Sequence, residues 1–144
     1  MKNIKRLSLF FCVLFFYSCS SSEENRPQKK TYLMRNYLAG KHLYRLNCEN
    51  CHKVNGKGQG RLYPPIAQSD YFLENPTRTI CLIKNGVKGK ILVNKEDYDI
   101  TMLGFSELGN QQIADLMTYI GNAWGNNLGD YSKEDIEKAL QDCK

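Results

Sequence analysis

The sequence contains no apolar run long enough to cross a bilayer as a permanent helix. In the 144-residue chain the longest such run covers residues 7–17, whereas a transmembrane helix needs about 20 residues. Lys2, Lys5 and Arg6 precede this run, and a polar stretch follows it. This order of segments is typical of a secretory signal, which we assign to residues 1–18.

Apolar side chains are then absent from the segment "SSSEENRPQKK". Directly before it, Ser18 and Cys19 resemble a bacterial lipoprotein signal, in which the cysteine is acylated and becomes the new N-terminus. The alternative is an ordinary signal that is cleaved elsewhere. The lipoprotein pattern implies that residues 19–30 are a lipidated tether on the periplasmic side of a bacterial membrane, and it does not distinguish the inner membrane from the outer one.

A strong basic excess is also missing once the signal is removed. The chain has 20 basic and 15 acidic residues, but three of the basic and none of the acidic residues fall in residues 1–18, which leaves a net charge of +2. We identify no basic helix and no ladder of aromatic residues. We therefore expect no nucleic-acid partner.

The rest of the chain favours helices. Apolar residues recur at three- and four-residue steps in residues 31–47 and in "IADLMTYI". A further helix is predicted to begin at Asn75 and Pro76, with a helical turn in "SDYFLEN", a short strand in "KILVN" and a short helix near the end. We expect an all-α domain over residues 31–127, with a loop-rich middle, and a tail over residues 128–144.

Histidine is scarce, and one of the two histidines stands in an unusual cluster. The segment "NCENCHKVNGKGQG" places Cys48, Cys51 and His52 within five positions, at the end of the first predicted helix. Thiol exchange would need the cysteine pair at the start of a helix that follows a strand. A zinc site would need a second ligand pair, which the remaining histidine and cysteines do not form. A structural disulfide within the pair is a third alternative.

Covalent haem attachment explains this spacing, since CxxCH is its known signature. Two thiols add to the two vinyl groups on one edge of the porphyrin, and the adjacent imidazole binds the iron. The candidate for the sixth iron position is Met102, which we place in a loop just before the last long helix. Met34 and Met117 lie on helical faces, and we assign them to the core.

Five stretches in order carry a specific resemblance: "CENCH", "YPPIAQSDYF", "IKNGVKGKILVN", "MLGFSEL" and "IADLMTYIGNAWGN". Through them the chain resembles a class I cytochrome c domain of the small bacterial type. The resemblance implies the cytochrome c fold, in which the N- and C-terminal helices cross around one covalently bound haem c. It also implies that Cys48 and Cys51 hold the haem and that His52 and Met102 are the axial iron ligands.

The resemblance assigns supporting residues too. The carbonyl of Pro64 is expected to accept a hydrogen bond from the proximal histidine, which would orient the imidazole, and Ile66 is expected to lie against the haem. Leu103 stands where the family usually has proline, which removes a rigidifying residue beside Met102. The two crossing helices are expected to meet through Gly40, Tyr44, Leu116 and Tyr119.

These features predict electron transfer by a six-coordinate iron, and no enzyme activity. The alternative is a haem enzyme, or a gas or redox sensor, with an open or labile sixth position. We expect a monomer that meets an acidic-faced redox protein or a respiratory complex. A weakly basic docking face around the haem edge is predicted from five lysines, although a solvated charged surface is the alternative: Lys53, Lys57, Lys84, Lys88 and Lys90.

Three residues remain outside this scheme. Cys81 and Cys143 either form a disulfide, as an oxidising compartment allows, or stay apart as a buried cysteine and a free terminal thiol. His42 is expected to be a surface or packing residue.

Overall fold

The computed structural model describes the backbone of residues 26–143 and the side chains of residues 31–143. The predicted signal, Cys19 and the first half of the tether lie outside the described residues. The helices are α1 (Arg26–Asn47), α2 (Glu49–His52), α3 (Asp70–Leu73), α4 (Pro76–Asn85), α5 (Asn110–Asn122) and α6 (Lys133–Gln141). Four strands of two or three residues lie between α4 and α5: β1 (Gly86–Val87), β2 (Ile91–Val93), β3 (Glu96–Tyr98) and β4 (Met102–Leu103). The predicted all-α class is confirmed.

Helices α4 and α6 begin with side-chain caps. The Asn75 side chain accepts a hydrogen bond of 2.9 Å from the backbone N–H of Arg78, and Pro76 takes the first helical position. At α6, the Ser132 hydroxyl accepts a 3.1 Å bond from the backbone N–H of Asp135, and the Asp135 carboxylate accepts a 2.8 Å bond from the backbone N–H of Ser132. This reciprocal pair satisfies two N–H groups that the helix itself leaves without a partner.

Helix α1 begins at Arg26, five residues before the predicted start and inside the predicted tether. The added residues "RPQKK" contain no apolar side chain, which is why they were assigned to a tether. They nevertheless suit a helix, because Gln, Lys and Arg have high helix propensity and Pro27 sits in the first turn, where its missing N–H costs nothing. No described helix, α1 included, is both long enough and apolar enough to cross a membrane.

The buried face of α1 crosses α5. At Gly40 the two backbones are so close that a Cβ atom would lie 1.9 Å from the carbonyl oxygen of Asp115. The rings of Tyr44 and Tyr119 pack beside this point, with centroids 5.4 Å apart. The predicted crossing is therefore confirmed. Met34 lies about 120° around α1 from Gly40 and is 54% exposed, so its assignment to the core is wrong.

Helix α5 forms the centre of the core, and the predicted apolar face is buried: Ile113, Leu116, Met117 and Ile120. Ile136 of α6 is fully buried in the same core, and a single compact unit extends from Tyr32 through α6. Cys81 on α4 and Cys143 after α6 form a disulfide across 62 residues. Of the two alternatives for these cysteines, the structure shows the disulfide. This bond links the segment after α6 to α4.

The short strands hold the segment between α4 and α5. Strands β1 and β4 pair antiparallel, with Val87 opposite Met102, so the placement of Met102 in a loop is wrong. A two-residue strand has no periodic pattern by which a sequence could reveal it. Strands β2 and β3 form a hairpin, and its turn residue Asn94 exchanges hydrogen bonds of 2.7 and 2.9 Å with Asp70 at the start of α3.

Candidate functional site

A cavity of about 520 Å³ opens beside the CxxCH segment. Its walls come from the end of α1 and from α2, from residues 63–66, from α3 and α4, from the strands, and from Leu116 and Ile120 of α5. Most of the lining is aliphatic or aromatic. A cavity of a few hundred Å³ with apolar walls and few polar groups is typical of a cofactor site.

Cys48, between α1 and α2, and Cys51, within α2, both line this cavity. The backbone places them there, since Cys48 N–H bonds the Tyr44 carbonyl at 2.8 Å and His52 N–H bonds the Cys48 carbonyl at 2.9 Å. The two thiols are not joined to each other. Burial, and secondarily the nearby Cys51, raises the pKa of Cys48 to about 12. A thiol-exchange site needs a lowered pKa, so this environment argues against that alternative.

His52 faces the cavity with a fixed orientation. Its Nδ1 lies 2.9 Å from the carbonyl oxygen of Pro64. A carbonyl can only accept a hydrogen bond, so Nδ1 carries the proton and Nε2 keeps its lone pair. Burial lowers the pKa of His52, while the bond to Pro64 acts in the opposite direction. The imidazole is thus neutral with Nε2 available as a metal donor, the state that haem iron requires.

The loop after His52 brings Pro64 back over the imidazole. Gly58 allows this turn, because its φ is +68° and a Cβ atom there would lie 2.0 Å from the Tyr63 carbonyl oxygen. Ile66 follows on the cavity wall, as the resemblance implies, and its N–H bonds the Gly56 carbonyl at 2.7 Å.

Met102 and Leu103 differ in their surroundings. Met102 lines the cavity from β4, whereas Leu103 is 75% exposed. Gly86 and Gly104 let the β1 and β4 backbones touch, since a Cβ at Gly86 would lie 2.5 Å from the Met102 carbonyl oxygen. The N–H of Phe105 bonds back to α4 at 2.8 Å through the Ile83 carbonyl oxygen. The segment that carries Met102 is therefore held against α4 without the proline that the family usually has.

Trp124 is a supporting residue that the sequence analysis missed. Its indole N–H donates a 3.1 Å bond to the Val54 carbonyl, and its ring fills the space where Gly56 lacks a side chain. The hydroxyl of Tyr44 donates a 2.7 Å bond to the Lys53 carbonyl. Two aromatic donors thus fix the two carbonyls that follow His52. The only available signal was that Trp124 is the single tryptophan of the chain.

The lysines predicted to form a docking face are not equivalent. Lys84 donates hydrogen bonds of 2.7 and 2.9 Å to the Ser106 and Leu108 carbonyls, and Lys90 pairs with Asp97 at 2.7 Å. These two lysines stabilise the β4 and β2–β3 segments. Lys57 and Lys88 are exposed. His42, which was expected to be a surface or packing residue, is exposed as well.

Haem c fits the donors present. Two thiols, an oriented neutral imidazole and a thioether sulfur all line the one apolar cavity, and these are the groups that attach and ligate such a haem. Among the described residues, no carboxylate side chain lines this cavity. The site therefore suits an apolar macrocycle better than a hydrated metal ion.

Comparison with known proteins agrees with this assignment. The family model for cytochrome c matches residues 37–124. The cytochrome c subunit of alcohol dehydrogenase (quinone) from Gluconobacter oxydans is 33% identical over 105 residues, which are 69% of this chain and 21% of that subunit. Cytochrome c-552 of Thermus thermophilus is 30% identical over 82 residues, which are 54% of this chain and 63% of the relative. The chain thus spans about a fifth of the dehydrogenase subunit and less than two thirds of cytochrome c-552.

The matched segment contains every residue that lines the cavity. Proteins of this family hold haem c covalently, with iron at its centre. The cofactor of this chain is haem c. The chain belongs to the cytochrome c family.

Proposed function

We propose that the protein is a membrane-anchored, mono-haem electron carrier that passes single electrons between respiratory partners outside the cytoplasm and is not an enzyme. The observation that carries this proposal is the convergence of His52 and Met102 on one cavity with Cys48 and Cys51. The sequence has a single CxxCH motif, which supports one haem.

Each residue has a distinct task in this proposal. Cys48 and Cys51 would hold the haem through thioether bonds, and His52 Nε2 and Met102 Sδ would ligate its iron. Haem c supplies the ferric/ferrous couple when bound. Pro64 fixes the imidazole, and Ile66 with the other apolar side chains keeps water out of the cavity. An iron ligated by both side chains would have no open position for a substrate, and it would change oxidation state with little rearrangement.

Anchoring and partner choice follow from other parts of the chain. Acylation of Cys19 would hold the protein at the periplasmic side of a bacterial membrane through its acyl chains, which add about 0.8 kcal/mol for each buried methylene. A relative is by name a subunit of a quinone alcohol dehydrogenase, which supports a redox complex as partner. The exposed Lys57 and Lys88 suit an acidic surface on that partner, with this protein as a monomer.

Carbon monoxide binding tests the axial ligands. We expect the reduced, haem-loaded protein to resist carbon monoxide, because Met102 fills the sixth position. Met102→Ala should bind carbon monoxide readily and lose the ferric methionine–iron charge-transfer band. Met34→Ala is the matched control, since Met34 is exposed and does not line the cavity. Wild-type protein that binds carbon monoxide as readily as Met102→Ala would contradict the carrier proposal.

Ionic strength tests the docking face. The rate of electron transfer to an acidic redox protein should fall as salt rises, because screening weakens attraction between opposite charges. Lys57→Gln/Lys88→Gln should lower both the rate at low salt and its salt dependence. Rates that stay constant over a wide salt range would contradict the docking face and leave the haem assignment intact.

A further inference from the structure

Helix α1 is strongly basic, contrary to the expectation of no basic helix. Its sequence, "RPQKKTYLMRNYLAGKHLYRLN", contains six lysines and arginines and no acidic residue. The sequence analysis missed this because the structure starts the helix at Arg26, which adds three of the six basic residues. The chain after residue 18, with α1 included, carries a net charge of only +2. Positive charge is therefore concentrated in this one helix.

The outer face of α1 also exposes large apolar side chains. Four residues of the helix belong to this set: Tyr32 (39% exposed), Met34 (54%), Leu38 (55%) and Leu46 (68%). At 100° per residue, Met34, Leu38, Lys41 and Arg45 fall within about 60° of one another, on the side away from Gly40. Basic and apolar side chains therefore share one surface, which we call the α1 outer face (Tyr32, Met34, Arg35, Leu38, Lys41, Arg45 and Leu46).

A surface that combines these two properties suits an anionic lipid bilayer. Apolar side chains enter the boundary between headgroups and acyl chains, while lysine and arginine bind the negative headgroups. Arg35 lies over the Tyr32 ring, with 5.0 Å between guanidinium carbon and ring centroid, and such aromatic residues are enriched at the membrane interface. Nucleic acid fits less well, because Tyr32 is the one aromatic residue of this face and the more exposed Met34, Leu38 and Leu46 have no ring to stack on bases.

The chain also brings α1 close to the proposed anchor. Six residues lie between Cys19 and Arg26, and the seven Cα–Cα steps of about 3.5 Å each reach no farther than about 25 Å. Among the α1 residues whose side chains are described, only Asn47, the last residue, lines the haem cavity. Contact through the α1 outer face would therefore not use the residues that line the cavity.

We propose that the α1 outer face lies on an anionic membrane surface and so orients the haem domain relative to the bilayer. This inference rests in part on the proposed lipid anchor at Cys19. The anchor would keep the domain near the membrane, and α1 would set the orientation of the domain. An acidic protein partner is the competing occupant, and the experiment below separates the two.

The test uses the full-length, haem-loaded protein, bound to vesicles of phosphatidylcholine with or without about 30% phosphatidylglycerol, a content that gives the surface a negative potential. Hydroxyl-radical modification of Met34 and Leu38 is measured by peptide mass spectrometry, with Leu92 and Leu103 as exposed references outside α1. We expect phosphatidylglycerol to lower the modification of Met34 and Leu38 several-fold and to leave the references unchanged.

A charge variant and its matched control sharpen the result. Lys41→Gln/Arg45→Gln should lower the ratio of docked to undocked domain by about 30-fold, since each basic residue near an anionic surface contributes about 1 kcal/mol. Lys88→Gln/Lys95→Gln removes the same charge elsewhere and should have little effect. Equal loss in both variants, or unchanged modification of Met34 and Leu38 on anionic vesicles, would overturn the proposal.

Further outcomes distinguish this proposal from the proposed function. Protection of α1 that requires an added acidic protein, and not lipid, would overturn the membrane assignment. A protein whose mass shows no acyl chains, but whose α1 is still protected by anionic vesicles, would support the α1 outer face and refute the anchor at Cys19. A colourless protein would refute the haem assignment, and the lipid result could still be read from the same peptides.

Discussion

Substitution of Gly40 by alanine tests the helix crossing that supports the haem site. An added Cβ atom would lie 1.9 Å from the Asp115 carbonyl oxygen and 2.8 Å from the Tyr119 Cβ. Backbone atoms cannot move aside by changing a rotamer, so the helices must separate, and overpacking of this kind costs about 3 kcal/mol. Alanine gains about 1 kcal/mol over glycine in helix propensity. We expect a net loss of about 2 kcal/mol in the free energy of unfolding.

Gly121→Ala is the matched control for this prediction. Gly121 is also a buried helical glycine, but its added Cβ would meet the nearest atom, the Leu128 Cβ, at 3.4 Å, which is ordinary contact. This variant should gain up to about 1 kcal/mol. Urea unfolding of the haem-loaded proteins, followed by far-ultraviolet circular dichroism, measures the free energy of unfolding of both variants. In thermal unfolding, Gly40→Ala should lower the Tm by about 8 °C. Equal stability of Gly40→Ala and wild type would refute the close crossing.

Three more variants test other contacts. Cys81→Ser should cost about 4 kcal/mol, because it opens the loop that the disulfide to Cys143 closes; an equal unfolding midpoint with and without reductant in wild type would contradict this. Tyr44→Phe removes the hydroxyl that bonds the carbonyl after the haem motif and should cost about 1–3 kcal/mol in urea unfolding. The Ser132 cap lowers the pKa of Asp135, so its contribution is present above about pH 3.9, the unfolded value, and is lost as pH falls through the lower folded value. Asp135→Asn should therefore be less stable than wild type at pH 6 and approach it in strong acid, and a constant difference at every pH would count against the cap.

The haem site could be predicted because its chemistry is local in sequence. CxxCH places two thiols and an imidazole on one turn of backbone, and no distant contact is needed to see that they belong together. The helix crossing at Gly40 and the bond from His52 to Pro64, by contrast, were predicted through the resemblance, since the local sequence does not identify the partner in either case. Pro64 lies twelve positions after His52.

Other features depend on contacts that the local sequence does not encode. Met34 has the spacing of a core residue, but the position of α5 decides which face of α1 is buried, and Met34 lies outside it. Trp124 bonds a carbonyl 70 residues away, and nothing near it in the sequence identifies that partner. Lys84 has the positive charge expected of a docking residue, yet its ammonium group donates hydrogen bonds to two backbone carbonyls.

The segment around Met102 shows how a missing residue can be replaced by packing. Proline after the methionine would stiffen the chain by fixing φ, and Leu103 cannot do this. Here the stiffness comes from tertiary contacts: β4 pairs with β1, Gly104 lies where a Cβ would be 2.5 Å from the Asn85 carbonyl carbon, and Lys84 binds the carbonyls that follow. Because all these contacts lead to α4 and β1, the position of Met102 over the cavity depends on the end of α4 more than on its own neighbours in sequence. A change at Gly104 should therefore disturb the methionine more than a change at the exposed Leu103.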